Sequence, residues 1–229
     1  MSALLDARDL TAVLMGDTGD VRVLDGVSLS VDPGEIVDVV GPSGSCKSTL
    51  LRALARLLPD ATGSLTLEGS PAQTIAPSRW RRLVALLPQK PTMVAGTIRD
   101  NLALPWRFAV HRDAPAPSDH ALAEQLDRLG MDVALDRDAS RLSVGQAARV
   151  AFLRTLLTHP RVLLLDEPDA ALDDVSADAM GALTAEFARV RVAGGDSAAV
   201  IRVRHHGSDG LATRRLRLER GHLSAEASS

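Results

Sequence analysis

The sequence predicts an α/β domain with an inserted helical segment, and three observations carry that prediction. Residues 36–40, 84–87, 162–165 and 198–203 are short, nearly continuous apolar runs, the pattern of strands buried on both faces of a parallel sheet. Two of these runs end in residues that carry chemistry: the first in a glycine-rich turn at 41–46, the third in Asp166-Glu167. Between the second and third, residues 97–157 have helical rather than strand spacing.

Taken in order, residues 3–14 and 21–31 read as two strands, the second alternating as Val21, Val23, then Val27, Leu29, Val31. Asp32-Pro33-Gly34 is a turn that feeds the strand 36–40. Asp38 is out of character inside that strand, because a carboxylate in a buried parallel strand needs a partner or a raised pKa. Gly41-Pro42-Ser43-Gly44-Ser45-Cys46-Lys47-Ser48-Thr49 follows, leaving through Leu50, Leu51, Leu54, Leu57 and Leu58 of a helix. A strand, a glycine-rich turn and a helix start make a phosphate cradle: backbone N–H groups and the helix dipole favour an anion there. The spacing matches G-x-x-x-x-G-K-[ST] except that Cys46 stands where a glycine precedes the lysine. In such a loop Lys47 reaches the β- and γ-phosphates and the Ser48 hydroxyl binds Mg²⁺. Glycine at position 46 would let the backbone approach a phosphate closely, so the cysteine predicts weaker nucleotide binding or slower turnover on an unchanged fold.

Residues 63–69 form a short hairpin-like strand between two glycines, and Pro77 opens a short helix before the strand 84–87, which exits at Pro88-Gln89. In the helical stretch 97–157, Leu122, Leu126 and Leu129 share one helix face, and the proline-rich segment 111–118 separates that helix from residues 98–108. Trp106 and Phe108 lie close together after Pro105 and read as core or as a docking pair. Ser143 is placed as the N-cap of a helix that carries Gly145, Gln146 and the apolar stripe Val150, Leu153, Leu157, and its start is a second anion site. Asp166 suits Mg²⁺, and Glu167 suits a general base that polarises an attacking water. The last core strand opens at Arg204-His205-His206, and residues 216–223 read as a final hairpin around Gly221.

The bulk numbers narrow the class. At 229 residues, with 45% hydrophobic and 24% charged residues and a net charge of −3, the chain can bury a substantial core and has no nucleic-acid-binding charge. Lys47 and Lys90 are its only lysines, so a lysine at the phosphate-contacting position does not reflect background composition. One cysteine excludes an internal disulfide and a zinc-type cluster. No run of about 18 apolar residues offers a membrane span. Asp6, Arg8 and Asp9 interrupt the apolar N-terminal residues, so no secretory signal is expected.

With these pieces in order, the chain resembles the nucleotide-binding subunit of an ABC transporter over nearly its whole length. The phosphate loop, Gln89, residues 142–146, 162–167 and 171–173, and His205 occur in that family's order at similar spacings. The resemblance implies one nucleotide-binding domain over 1–229. It would be a P-loop NTPase core of mixed sheet flanked by helices, with an antiparallel β subdomain and a helical signature subdomain at 97–157. It implies ATP and Mg²⁺ as cofactors and two subunits paired head to tail around two ATP molecules. By resemblance, Ser143 and Gly145 would contact the γ-phosphate of the partner's site, and Gln146 would belong to the same nucleotide-binding set. Gln89 would touch Mg²⁺ or the attacking water, Asp173 would link the two sites, and His205 would hold the γ-phosphate. The implied partner is an integral-membrane permease, which would hold the chain on the cytoplasmic face of the cell membrane, and no nucleic acid is implied. Residues 97–102 with Pro105-Trp106 look like the subfamily serving iron-exporter-type permeases, which makes metal export the implied transport.

Several departures stand together. Besides Cys46, Val144 replaces the first glycine of the usual signature pair, and Arg204 replaces a small hydroxyl residue before the histidine. No aromatic residue precedes Trp80, so the ring that usually stacks on adenine is missing, at a cost of about 1 kcal/mol in base affinity. Two further readings remain open: a non-hydrolysing regulatory cassette, favoured by Cys46, and a non-transport ABC ATPase, which usually carries two cassettes or a coiled-coil insertion.

Overall fold

The structure is a computed structural model that describes residues 3–16, 19–189, 197–204 and 209–226. Two sheets organise it. β1 (Leu5–Gly16), β2 (Gly19–Val31), β4 (Thr62–Leu67) and β5 (Ser70–Pro71) form an antiparallel sheet in the order β2-β1-β4-β5. β3 (Ile36–Val40), β6 (Val84–Leu87), β7 (Val162–Asp166), β8 (Ala199–Val203), β9 (Arg214–Glu219) and β10 (His222–Ala225) form the second, in the order β10-β9-β3-β8-β7-β6. Its strands β9, β3, β8, β7 and β6 are parallel, and only β10 returns antiparallel, as a hairpin on β9.

The continuous apolar runs form the central strands because both faces of that sheet are covered, and every residue of β7 and β8 is buried. One face packs, with α1 (Lys47–Leu54), against the antiparallel sheet through Val37, Val39, Leu50, Leu54, Ile201 and Val203. The other face carries Leu163, Leu165 and Val200 and is covered by α3 (Ile98–Leu102), α4 (Asp119–Arg128), α5 (Val144–Leu156) and α6 (Asp174–Arg189). Ile98, Leu102, Leu122, Leu126 and Phe152 therefore share one core with the sheet.

Burial of Leu122, Leu126 and Leu129 follows the predicted face. Leu57 does not follow its prediction: the first helix ends at Leu54, Arg56 turns left-handed at φ 54°, and Leu57 is left 45% exposed. The short helix α2 (Pro77–Leu83) starts on its proline, whose missing N–H costs nothing at a first helical position. Its Trp80 is fully buried and donates from Nε1 to the Leu54 carbonyl at 2.9 Å, which locks the end of α1. Trp106 is half-buried with its ring 6.0 Å from that of His111, while Phe108 is 58% exposed. No described helix is long and apolar enough to cross a membrane.

Candidate nucleotide site

The phosphate loop leaves β3 at Gly41 and enters α1 at Lys47. Glycine at 41 is required by packing, since a Cβ there would lie 2.2 Å from the Leu218 carbonyl oxygen of β9. Gly44 has φ 78° with open space around it, so it serves backbone conformation alone. Cys46 is also left-handed, at φ 66° and ψ 29°, and occupies the N-cap of α1 without making a side-chain cap. A non-glycine residue in that region costs about 1–2 kcal/mol. The thiol is turned back on the loop, with Sγ 3.5 Å from the Gly44 carbonyl oxygen.

Lys47 is buried and donates to the carbonyls of Gly41 and Pro42, each at 2.9 Å. Burial lowers its pKa, opposed by the negative charge of Glu167 and Asp166. The Ser48 hydroxyl donates to Asp166 Oδ1 at 3.0 Å, which joins the helix start to the end of β7. Asp166 is 5% exposed, and burial raises its pKa against the pull of the Ser48 hydrogen bond. The next residue, Glu167, is left-handed at φ 50°, and its backbone N–H donates to the Val203 carbonyl of β8 at 3.1 Å. Its Oε2 accepts from Gln89 Nε2 at 2.6 Å. Lys47, Ser48, Gln89, Asp166 and Glu167 thus converge on one edge of the sheet, beyond the carboxyl ends of β3, β6 and β7. Parallel sheets present ligands at that edge.

A cavity of about 470 Å³ lies beside the loop, lined by Pro42, Ser43, Gly44, Ser45 and Cys46 and by Val21, Arg22 and Val23 of β2. No aromatic side chain lines it. Oxygen donors and a lysine suit Mg²⁺ with a polyphosphate, because Mg²⁺ prefers one or two protein oxygens plus phosphate and water. Among the described residues no group of three or more His, Cys, Asp or Glu could hold a metal without that help.

The remaining predicted residues are elsewhere. Ser143 caps α5 by accepting from the Gln146 N–H at 3.2 Å, and Gln146 Oε1 accepts from the Ser143 N–H at 3.1 Å, so both are satisfied within a capping box. Val144 is 76% exposed, and Gly145 packs so closely that a Cβ would lie 3.0 Å from the Ala171 carbonyl oxygen. Among the described residues, no hydrogen bond or ion pair joins Ser143, Gly145 or Gln146 to residues 41–49. Asp173 caps α6, accepting from the Ser176 N–H at 2.9 Å, and that bond with the Ser176 hydroxyl holds its pKa down. Thr49 continues the first turn of α1, and His205 lies outside the described residues.

Sequence reasoning left Asp38 without a partner and missed the group it belongs to. Asp38 pairs in register with Arg202, which bridges it to Asp209. The available signal was an acid and an arginine at matching depths of two apolar strands, but only the sheet order makes those strands neighbours.

Comparison with known proteins places this geometry. The model of the ABC transporter family matches residues 24–170, more than half of the chain. Protein STAR1 of Oryza sativa subsp. japonica is 46% identical over 156 residues, covering 68% of this chain and 44% of that protein. ABC transporter I family member 17 of Arabidopsis thaliana is 40% identical over 171 residues, 74% of this chain and 62% of the relative. The chain therefore spans about half the length of these two relatives. The probable iron export ATP-binding protein FetA of Escherichia coli K12 is 36% identical over 157 residues, 68% of each chain. Among solved structures, the ATP-binding cassette MJ0796, a dimer in a post-hydrolysis state with ADP and Pi, superposes with a TM-score of 0.81 at 22% identity. That match covers 98% of this chain and 100% of the other, and establishes a shared fold. The chain belongs to the ABC transporter family, as an ATP-binding cassette.

Proposed function

We propose that the chain binds and hydrolyses ATP with Mg²⁺, in a head-to-tail pair, to drive transport through a separate membrane permease. The observation that carries this reading is the convergence of Lys47, Ser48, Gln89, Asp166 and Glu167 at one sheet edge while the exposed Ser143 end of α5 stays apart from it. Half of a site lies at each place, so two chains facing one another complete two.

Bound Mg²⁺, held by Ser48 and Asp166, would neutralise charge on the β- and γ-phosphates. Lys47 exchanges the Gly41 and Pro42 carbonyls for phosphate oxygens, and the loop N–H groups cradle them. Glu167 accepts a proton from the attacking water, and Gln89, already bonded to it, orients that water. Ser143, Gly145 and Gln146 of the facing subunit close on the γ-phosphate, with Asp173 linking the two sites and His205 contacting the γ-phosphate. The base would rest on Val21 and Arg22 in place of a ring. The resemblance to FetA supports metal export, and cytoplasmic membrane association would come through the permease. A groove of about 380 Å³ lined by Leu86, Leu87, Pro88, Leu104, Pro105 and Phe108 supports a docking role for this face.

Sedimentation of the Glu167→Gln chain with Mg-ATP tests the pairing. A dimer is expected with ATP and a monomer without it, and Ser143→Arg should abolish the dimer while ATP binding to the monomer persists. A chain that stays monomeric with saturating ATP refutes the two-subunit reading. Cys46→Gly offers a second check. Removing the left-handed side chain should raise thermal stability and nucleotide affinity by about 1 kcal/mol each. Unchanged affinity by calorimetry would show that the thiol does not hinder the phosphates. ATP binding without turnover, restored by Cys46→Gly, would favour the regulatory reading.

A further inference from the structure

Five charged side chains form a chain of ion pairs at the carboxyl edge of the sheet, and the mechanism above uses none of them. Asp38 and Arg202 lie side by side on β3 and β8, at 0% and 3% exposure, on the face that packs against α6. Arg202 Nε donates to Asp38 Oδ1 at 2.7 Å and Nη2 to Oδ2 at 3.1 Å. Its outer edge grips Asp209 through Nη1 at 2.8 Å and Nη2 at 3.1 Å. Arg204 extends the series, with Nη1 2.7 Å from Asp209 Oδ2 and Nη2 donating to Asp169 Oδ2 at 2.7 Å. Burial pushes Asp38 up despite the pull of Arg202, so this arrangement is costly to keep.

The series ends at Asp169, two residues beyond Glu167, whose backbone is strained. A left-handed glutamate persists only if the chain on both sides of it is held. The amino side is held by the β7–β8 ladder, in which Asp166 pairs with Val203. The carboxyl side, 168–172, is a turn closed by two bonds of 3.1 Å or longer, from the Ala170 N–H to Glu167 O and from the Leu172 N–H to Asp169 O. The Asp169–Arg204 pair ties this turn to β8, and Arg202 with Asp209 fixes Arg204 in turn.

We infer that Asp169 and Arg204 are a positioning pair, which holds the turn after Glu167 against β8 and so aims the Glu167 carboxylate. The inference rests on the proposed hydrolysis. Freed of the pair, the turn lets Glu167 relax toward negative φ and its carboxylate leaves Gln89.

Two readouts on the full chain test it: steady-state phosphate release, and amide exchange at Glu167, Ala170 and Leu172 with Ser48 and Thr49 as internal controls. Arg204→Ser and Asp169→Asn should each lower kcat about tenfold with KM within about twofold, the double variant being no worse than either single. Arg204→Lys, which keeps the charge, should recover most of the loss. Exchange at Glu167, Ala170 and Leu172 should rise in the first two variants and not at Ser48 or Thr49. Unchanged kcat and exchange, additive losses in the double variant, or a parallel fall in affinity and thermal stability would each overturn the inference. Should the parent chain not hydrolyse ATP, the proposed function fails, and the exchange pattern alone still decides whether Arg204 holds the turn.

Discussion

Glu167→Gln is expected to lower phosphate release by about 10²- to 10⁴-fold while ATP affinity stays within about twofold. The substitution keeps the shape of the side chain, so the contact with Gln89 survives, but an amide cannot accept the proton of an attacking water. Lys47, Ser48 and Asp166, to which the proposed function assigns the phosphates and Mg²⁺, keep their contacts in this variant. A single-turnover assay beside a calorimetric titration separates the two quantities. Retained turnover in this variant would transfer the base role to another group and remove the central role assigned to the end of β7. Loss of affinity in step with rate would instead make Glu167 a binding residue.

The second large effect concerns stability. Asp38→Ala should destabilise the chain by about 3 kcal/mol, because it strips one carboxylate from a guanidinium that is 3% exposed. The low end of the usual range applies because Asp209 still partners Arg202. Asp38→Val combined with Arg202→Val should recover most of the loss, since apolar neighbours then meet where two desolvated charges did, and Arg204 remains for Asp209. Urea unfolding of the two variants measures this directly. Equal losses in single and double would mean that packing volume, not an uncompensated charge, sets the cost.

The sequence made the phosphate loop, the Asp166-Glu167 strand end and the cap at Ser143 legible because each is written in consecutive residues. Local chemistry alone specifies a turn, a strand exit and a helix start. The strand runs were equally plain, since parallel strands covered on both faces admit few polar residues. What stayed hidden depends on topology. Asp38 and Arg202 are 164 positions apart, and nothing before the strand order is known makes them neighbours. Leu57 was misplaced because Arg56 adopts a left-handed conformation that its type does not announce. The same holds for Glu167, whose backbone strain is the product of its surroundings.

β3 has one further consequence, for the order in which the chain is made. Its residues 36–40 leave the ribosome early, yet both of its neighbours in the sheet, β8 and β9, come from residues 199–219. Gly41 packs against the Leu218 carbonyl of that late segment, with no room for a side chain between them. The nucleotide loop therefore cannot reach its working shape during synthesis of the first 200 residues. Until then an apolar strand waits with both edges unpaired, in the condition that invites aggregation or a holding chaperone. Released chains ending at residue 190 and at residue 229 should differ sharply in ATP-dependent protease protection, with protection appearing only in the second.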